Sequence, residues 1–409
     1  MVEFTDTSLK PAVQNSEQLL EKAQQALLFT THRPDIVLEH GEGIYVWDTD
    51  GKQYLDFVGG WAVNCLGHSP AVLHKALSAQ SSQLVHASPA YYNKPMIEFA
   101  ELLTRESGMD KVFFCSSGAE ANESAIKLAR KHGMLNMNGA HEIITLQNSF
   151  HGRTLATMSA TGKPQWEALF SPKVNGFKHV PINDLDACFA AVTNHTCAIM
   201  LELVQGEGGV NAVDESYLYG LRKICDMYGM LLIFDEVQTG VGRTGKLFAY
   251  EHYGLKPDIM TLGKGIGGGF PLSAMLTLAK HDIFEPGDQG GTYSGGPLAM
   301  AAGHAVLTEV LSRGLADNAE RQGQYLTSCL HELAHSCPLT NIRGMGLLVA
   351  FDVPEGMAPQ IAELCMSEGL LVNAPRPATI RLMPPLIVEE KHIDAMIGTL
   401  RLVLSQLNG

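Results

Sequence analysis

The sequence predicts an α/β protein with a large, doubly wound, mostly parallel sheet domain and a smaller α+β domain. Short apolar runs alternate with helical segments from about residue 61 to residue 305, as in doubly wound domains. Two of these runs, 230–234 and 259–262, have the length of buried strands and end in charged residues. The regular alternation of predicted strands and helices changes after residue 311. We therefore expect a large domain over 61–311 and a smaller domain built from both chain ends, 1–60 and 312–409.

Apolar spacing and turn residues place the elements in order along the chain. An amphipathic helix is expected at 16–27, lying on a neighbouring surface, and Asp50-Gly51 predicts a hairpin turn between strands 44–47 and 53–57. In the large domain we expect strands at 111–115, 142–146, 198–204, 230–234, 259–262 and near 272, with helices at 118–132 and 298–311. In the last part we expect helices at 316–335, 358–368 and 389–407, with strands at 347–353, 371–373 and 379–383.

Composition argues for an ordinary soluble protein. The chain has 409 residues, 45% of them hydrophobic, and a mean hydropathy of +0.03. No apolar run approaches the roughly 20 residues that a membrane span needs. A formal net charge of -14 opposes general attraction to nucleic acid or anionic lipid. We expect neither a membrane nor a nucleic acid as partner.

The cysteines and the start of the chain indicate a cytoplasmic location. The eight cysteines are scattered without a C-x-x-C pair, as expected for reduced thiols. Residues 1–17 lack the basic and apolar regions of a signal peptide and are expected to form a loose arm. No metal site is expected from the cysteines or from the sixteen histidines.

The stretch 231–274 carries the strongest signal for chemistry. Asp235 ends one predicted strand and Lys264 follows another, so both side chains are expected where a parallel sheet opens its ligand crevice. Taken singly, such residues are most often a strand-end ion pair. Here a glycine run after Lys264 leaves its amine uncrowded. A desolvated lysine is a nucleophile suited to an aldehyde, and pyridoxal phosphate is an aldehyde whose ring nitrogen requires a buried carboxylate, for which Asp235 is the candidate.

The segments F-D-E-V-Q-T-G-V-G-R-T-G and P-D-I-M-T-L-G-K resemble the signature of the class III, or ornithine-type, aminotransferases. The resemblance extends from residue 43 to residue 388 and implies the type I fold of pyridoxal-phosphate transferases. In that family Lys264 would hold the cofactor and Asp235 would pair with its ring nitrogen. Gln238 would donate near the phenolic oxygen, and Val237 would pack on the ring face.

The residues Ser117, Gly118 and Ala119 begin a predicted helix after a strand. A helix start with free N–H groups is an anion site. Without a cofactor, a capping box between Ser117 and Glu120 is the simpler interpretation. The resemblance to the family motif S-G-x-E-A-N implies that these three residues bind the phosphate.

The loop 148–154 resembles the F-H-G-R segment of the family. There Phe150 would stack on the pyridine ring, and Arg153 would hold a substrate carboxylate, which suits a planar guanidinium. A loop arginine is usually only solvated, so this role depends on the resemblance. His151 is expected to be structural.

Two further motifs imply a second carboxylate site. Arg381 lies in I-R-L-M-P-P-L, and in the family the matching arginine binds the α-carboxylate of glutamate. Glu207, in Q-G-E-G-G, would pair with it; Leu203 stands where the family often has proline, which concerns backbone stiffness. Trp61 lies in the loop that borders the family's substrate channel and either packs or contacts substrate. The family's ornithine enzymes have a tyrosine in that loop, which argues against free ornithine.

The motif G-T-Y-S-G-G-P at 291–297 implies a homodimer. In the family its threonine, here Thr292, binds the phosphate of the neighbouring subunit's cofactor. The resemblance therefore implies an enzyme that moves the terminal amine of N-acetylornithine to 2-oxoglutarate. Succinylornithine, ornithine and 4-aminobutyrate are alternative donors, and the family's aminomutase and decarboxylase branches are alternative activities. A cofactor-binding regulatory protein is an alternative from another class.

Overall fold

The computed structural model describes residues 16–166 and 168–407. Most of the predicted N-terminal arm, residues 1–15, lies outside this range. Within the described residues, no helix is both long enough and apolar enough to cross a membrane.

The described part of the chain alternates helices and strands. The helices are α1 Ser16–Ala26, α2 Gly59–Ala62, α3 Ala71–Ser81, α4 Lys94–Ser107, α5 Gly118–Asn136, α6 Leu155–Ala160, α7 Leu185–Ala191, α8 Glu215–Tyr228, α9 Pro297–Ser312, α10 Leu315–Ala334, α11 Ala358–Ser367 and α12 Glu390–Gln406. The strands are β1 Leu38–Glu42, β2 Tyr45–Asp48, β3 Gln53–Asp56, β4 Lys111–Cys115, β5 Glu142–Leu146, β6 Phe177–Val180, β7 Thr196–Leu201, β8 Val204–Gln205, β9 Asn211–Ala212, β10 Leu231–Asp235, β11 Ile259–Leu262, β12 Ser273–Thr277, β13 Thr340–Met345, β14 Leu348–Asp352, β15 Leu370–Leu371, β16 Asn373–Arg376 and β17 Thr379–Leu382.

A seven-stranded sheet in the order β4-β12-β11-β10-β7-β5-β6 forms the centre of the molecule. All its pairings are parallel except those of β12, which runs antiparallel to β11 and β4. Successive side chains of a strand point to opposite faces. Accordingly Leu232 packs in a cluster with Leu221 of α8, whereas Ile233 packs with Leu128 of α5. Helices cover both faces, so the doubly wound, mostly parallel fold is confirmed.

Two smaller four-stranded sheets complete the fold, in the orders β1-β2-β3-β15 and β13-β14-β17-β16. In the first, Leu55 of β3 pairs in parallel with Leu370 of β15. The two ends of the chain therefore share one sheet, as predicted for the smaller α+β part.

Most predicted elements are confirmed to within one or two residues, but α5 extends to Asn136, four residues beyond its predicted end, and two strand predictions were wrong. The strand expected at 198–204 runs from Thr196 to Leu201, and the carboxylate of the next residue, Glu202, accepts a hydrogen bond from the Phe150 N–H at 2.9 Å. The chain then forms the small β8–β9 hairpin. The strand expected at 371–373 is divided between β15 and β16, which belong to different sheets. Helix α1 has no buried residue, and its packing on a neighbouring surface remains a prediction.

Candidate active site

A cavity of about 490 Å³ opens at the carboxyl ends of β4, β5, β7, β10 and β11. Eleven of the thirteen predicted site residues line it or contact residues that do. The lining comprises Ser117, Gly118, Ala119, Asn122, Phe150, His151, Gly152, Arg153, Thr154, Glu202, Glu207, Asp235, Val237, Gln238 and Lys264.

Lys264 follows β11 and begins a short 3₁₀ turn, Lys264–Gly267, with a backbone φ of 48°. A positive φ is unusual outside glycine, and such conformations cluster at functional sites. Removal from bulk water, assisted by the charge of Arg381, lowers the pKa of Lys264 to about 8. A substantial share of this amine is therefore neutral and nucleophilic near physiological pH.

Asp235 is held by three donors at the end of β10. Its Oδ1 accepts from the Val237 N–H at 3.0 Å, and its Oδ2 accepts from Asn122 Nδ2 at 2.7 Å. The Nδ1 atom of His151 lies 2.8 Å from the same Oδ2. Asn122 is itself fixed, because its Oδ1 accepts from the Thr261 hydroxyl at 2.7 Å. The carboxylate is buried and its orientation is fixed.

His151, which we predicted to be structural, is in direct contact with Asp235. Burial opposes its charge, but the hydrogen bond to Asp235 and that carboxylate's charge raise the pKa of His151 overall. Its Nε2 atom is buried and has no hydrogen-bond partner among the described residues. His151 and Asn122 are the residues of the Asp235 network that sequence reasoning missed.

The capping box and the anion site at the start of α5 are compatible. The Ser117 hydroxyl accepts from the Glu120 N–H at 3.3 Å, and Glu120 Oε2 accepts from the Ser117 N–H at 2.9 Å. Gly118 and Ala119 meanwhile line the cavity. A Cβ atom on Gly118 would stand 2.8 Å from Val237 Cγ1, so glycine allows the helix start to approach Val237 closely.

Aromatic rings hold two cations at the rim of the cavity. The guanidinium carbon of Arg153 lies 4.3 Å from the Trp166 ring centroid and 5.8 Å from that of Phe150. The Lys163 amine lies 5.0 Å from the Phe150 centroid and 5.2 Å from that of Trp166. Cations over ring faces are attracted by the ring quadrupole. Arg153 is exposed and lines the cavity, whereas Lys163 is partly buried.

Arg381 is fully buried and meets three acceptors. Its Nη2 donates to Glu207 Oε1 at 2.7 Å and to Asn373 Oδ1 at 2.7 Å, and its Nη1 donates to Gln238 Oε1 at 3.2 Å. Burial opposes the charge of Glu207, but Arg381 and then Lys163 lower its pKa to about 2. The structure thus forms the ion pair between Glu207 and Arg381 that the resemblance implied.

Thr292 and Trp61 lie outside this cavity. Thr292 is exposed, and its carbonyl oxygen lies 2.8 Å from His86 Nε2. Trp61 is 52% exposed and lines a separate cleft of about 1170 Å³ that also reaches Asn373. The predicted roles of both residues remain predictions.

The sequence also contains H-E-L-A-H, at 331–335, which has the spacing of a zinc-binding helix. His331 and Glu332 are exposed near the end of α10, and His335 lies just after its last residue. No group of three metal-binding side chains occurs among the residues that the structure describes. The pattern lies at the exposed end of α10.

The donor set fits a planar, anionic aldehyde cofactor. The Nε2 atom of Gln238 is buried and has no partner within the described part of the chain, so it can donate to an oxygen of a bound molecule. Lys264 offers an amine, Asp235 a buried carboxylate, and the start of α5 an anion site. The fold and the site together define a lysine-dependent α/β enzyme of the pyridoxal-phosphate type.

Comparison with known proteins gives the family. The class-III aminotransferase profile matches residues 29–404, and the chain belongs to this family of pyridoxal-phosphate-dependent enzymes. The acetylornithine aminotransferase of Ralstonia nicotianae is 50% identical over 387 residues, which cover 93% of this chain and 97% of that protein. The acetylornithine aminotransferase of Methanothermobacter thermautotrophicus is 42% identical over 395 residues, with 96% and 100% covered.

Solved structures agree with this assignment. The ornithine aminotransferase of Toxoplasma gondii superimposes with a TM-score of 0.93 at 30% identity, covering 97% of this chain and 95% of that chain. The acetylornithine aminotransferase of Elizabethkingia anophelis has a TM-score of 0.87 at 34% identity, with 96% and 100% covered. The predicted fold class and cofactor are confirmed, and the regulatory alternative is set aside.

Proposed function

We propose that this enzyme transfers the terminal amine of N-acetylornithine to 2-oxoglutarate, giving N-acetylglutamate semialdehyde and glutamate, a step of arginine biosynthesis. The single observation that carries the proposal is the ion pair between Glu207 and Arg381 beside Lys264, with Arg153 as a separate cation at the rim. The names of the relatives at 42–50% identity support it.

The two arginines suit two substrates of different charge. N-acetylornithine presents its far amine and has one carboxylate, for which Arg153 suffices while Glu207 neutralises Arg381. Glutamate and 2-oxoglutarate have two carboxylates, so the second must reach Arg381 after Glu207 has turned aside. A planar guanidinium binds a carboxylate with two parallel hydrogen bonds.

Pyridoxal phosphate, when bound, supplies an aldehyde for the amine and an electron-withdrawing ring. Lys264 would hold it. Once the substrate amine has released the lysine, the Nζ atom of Lys264 would accept a proton from the substrate carbon as a general base and then donate it as a general acid. Asp235 would keep the ring nitrogen protonated, Gln238 would donate to the phenolic oxygen, and Phe150 and Val237 would enclose the ring. Ser117, Gly118 and Ala119 would bind the phosphate.

We further propose a homodimer in the cytoplasm, with Thr292 completing the phosphate site of the partner subunit. The exposure of Thr292 outside its own cavity supports this role. We keep the domain division at 60 and 311, which the end of α9 at Ser312 and the pairing of β3 with β15 support. Trp61 would border the path of the donor, since its exposed ring stands in a cleft that reaches Asn373, a partner of Arg381.

Single-turnover absorbance measurements on the holoenzyme test the proposal. N-acetylornithine, N-succinylornithine, ornithine and 4-aminobutyrate are each mixed with enzyme, and the loss of the cofactor's aldehyde absorbance is followed. We expect the highest kcat/KM with N-acetylornithine. A higher kcat/KM with ornithine or 4-aminobutyrate would overturn the choice of donor. A higher kcat/KM with N-succinylornithine would show that the donor carries a succinyl group and not an acetyl group.

A further inference from the structure

Glu207 has a second cation beside it. Its Oε1 accepts from Arg381 at 2.7 Å, while its Oε2 lies 3.6 Å from the Nζ atom of Lys163. The two oxygens of one carboxylate thus face two different cations. Lys163 does not line the cofactor cavity, whereas Glu207 does.

In this arrangement the guanidinium is held by more contacts than the carboxylate. The Arg381 side chain is 0% exposed, and Asn373 and Gln238 hold it from two further sides. The Glu207 side chain is 26% exposed and stands in the turn that joins β8 to β9. Arg381 can therefore keep its position when Glu207 leaves it.

Hydrogen bonds hold the backbone that follows Glu207, so we expect the displacement of the Glu207 carboxylate to be a side-chain rotation. The Gly209 carbonyl accepts from Arg343 Nε at 2.8 Å, and the Gly208 carbonyl accepts from Asn211 Nδ2 at 2.9 Å. At Gly206 a Cβ atom would stand 1.6 Å from Gln238 Oε1. The hairpin is therefore packed directly against the residues that hold Arg381.

Lys163 is held in place by packing. Its amine lies near the rings of Phe150 and Trp166, and its side chain is 14% exposed. A carboxylate that rotates away from Arg381 keeps Lys163 as its ion-pair partner and does not become an isolated charge in a partly buried site. An unpaired charge there would be costly.

We propose that Lys163 is a positioning residue that receives Glu207 when a dicarboxylate substrate takes its place on Arg381. The inference depends on the proposed function, because it assigns to Lys163 the displaced state of the dual-substrate site. Both cations face Glu207 in the resting state, but only Lys163 remains as its partner in the displaced state. Loss of Lys163 therefore disfavours the displaced state more than the resting state.

The test compares the two half-reactions in Lys163→Met. Enzyme loaded with pyridoxamine phosphate is mixed with 2-oxoglutarate, and enzyme loaded with pyridoxal phosphate is mixed with N-acetylornithine. We expect kcat/KM for 2-oxoglutarate to fall about tenfold, as for coupled charges in contact. The N-acetylornithine value should fall much less. Lys163→Arg should recover most of the loss, and Lys178→Met, which removes an ion pair with Glu142 outside the cavity, should change neither value.

A double variant distinguishes this role from direct substrate binding or ring packing. In a Glu207→Gln background, Lys163→Met should cause no further loss with 2-oxoglutarate, because the carboxylate that Lys163 receives is gone. An undiminished loss in that background would overturn the proposal, as would equal losses in both half-reactions or no loss at all. If instead the parent enzyme fails with N-acetylornithine but reacts with 2-oxoglutarate, the donor assignment fails, and the Lys163 comparison is made with 4-aminobutyrate as donor.

Discussion

His151 Nδ1 lies 2.8 Å from Asp235 Oδ2, and the two side chains are 0% and 3% exposed. The imidazole and the Asn122 amide both contact this one carboxylate oxygen, whereas Oδ1 accepts from the Val237 N–H. The geometry fixes the direction in which the Asp235 charge faces the cavity. A cofactor ring nitrogen that approaches this carboxylate would meet a preorganised anion.

Replacement of that charge should separate binding from turnover. We expect Asp235→Asn to retain bound cofactor but to lose at least about 100-fold in kcat, since an amide cannot stabilise a positive ring nitrogen. Cofactor absorbance and steady-state rates measure the two effects. Glu236→Gln is the control, because Glu236 is the adjacent buried carboxylate and accepts from the backbone of Ala249 and Tyr250. An unchanged kcat for Asp235→Asn would remove the residue from this role.

Lys264→Ala should abolish covalent attachment of the cofactor and reduce turnover to below about one hundredth of the parent. Borohydride reduction followed by peptide mapping should label residue 264 in the parent and leave the variant unlabelled. Lys280→Ala, which removes an exposed lysine near Asp258, should behave like the parent. Label at another lysine of the parent would show that the attachment site is misassigned.

Burial and Arg381 lower the pKa of Lys264 to about 8 in the folded protein, below its ordinary 10.5. Between these pH values the unfolded chain binds the additional proton, so the stability of the cofactor-free enzyme should rise with pH across this window. Unfolding free energies of the parent and of Lys264→Met, both without cofactor, should therefore shift in the parent's favour from pH 8 to pH 10. Arg381→Gln should move the onset of this gain to higher pH. A difference that is constant with pH would contradict the lowered pKa.

Complementation tests the shared active site. Thr292→Ala should weaken cofactor binding, and mixing it with Lys264→Ala chains should restore activity, because one site of each mixed dimer would then carry neither change. Activity of the refolded mixture is compared with the sum of the two parent preparations. The control is a mixture of Ser294→Ala chains with Thr292→Ala chains, because both chains of that mixture keep Lys264. No gain over the sum for the lysine mixture would show that Thr292 serves no neighbouring site.

Replacement of Arg153 and replacement of Arg381 should affect the two half-reactions differently. Truncation of an arginine in a buried carboxylate contact costs about 2–5 kcal/mol. Arg381→Ala should therefore impair the 2-oxoglutarate half-reaction far more than the N-acetylornithine half-reaction, whereas Arg153→Ala should impair both. Glu207→Gln should free Arg381 and improve competition by α-amines. Equal losses in both half-reactions for Arg381→Ala would show that the substrate switch is misassigned.

The sequence was informative where chemistry coincides with the ends of strands. Asp235 and Lys264 were predicted to share a crevice because the carboxyl ends of parallel strands meet at one edge, and both line the cavity. Asn122 could also have been found, because it lies one helical turn after Gly118 on the face that begins the anion site.

Contacts between distant polar side chains leave no periodic signal in a sequence. Lys163 has nothing local that distinguishes it from a solvated loop lysine, and its approach to Glu207 depends on how the β8–β9 hairpin packs against the loop after α6. Asn373 is eight residues from Arg381, yet their contact arises from the pairing of β16 with β17. Such contacts follow from tertiary packing, which apolar spacing alone does not encode.

The pairing of β3 with β15 joins two strands that the ribosome makes at very different times. Leu55 is synthesised before its partner Leu370, and at about 5–20 residues per second the interval between them is roughly 15–60 s. During this interval β3 has one edge without its parallel neighbour, and the last strand of the seven-stranded sheet, β12, is made only when synthesis reaches residue 277. Unpaired strand edges are sites of wrong association. The β2–β3 hairpin therefore carries an open edge for most of the time that synthesis of the chain takes.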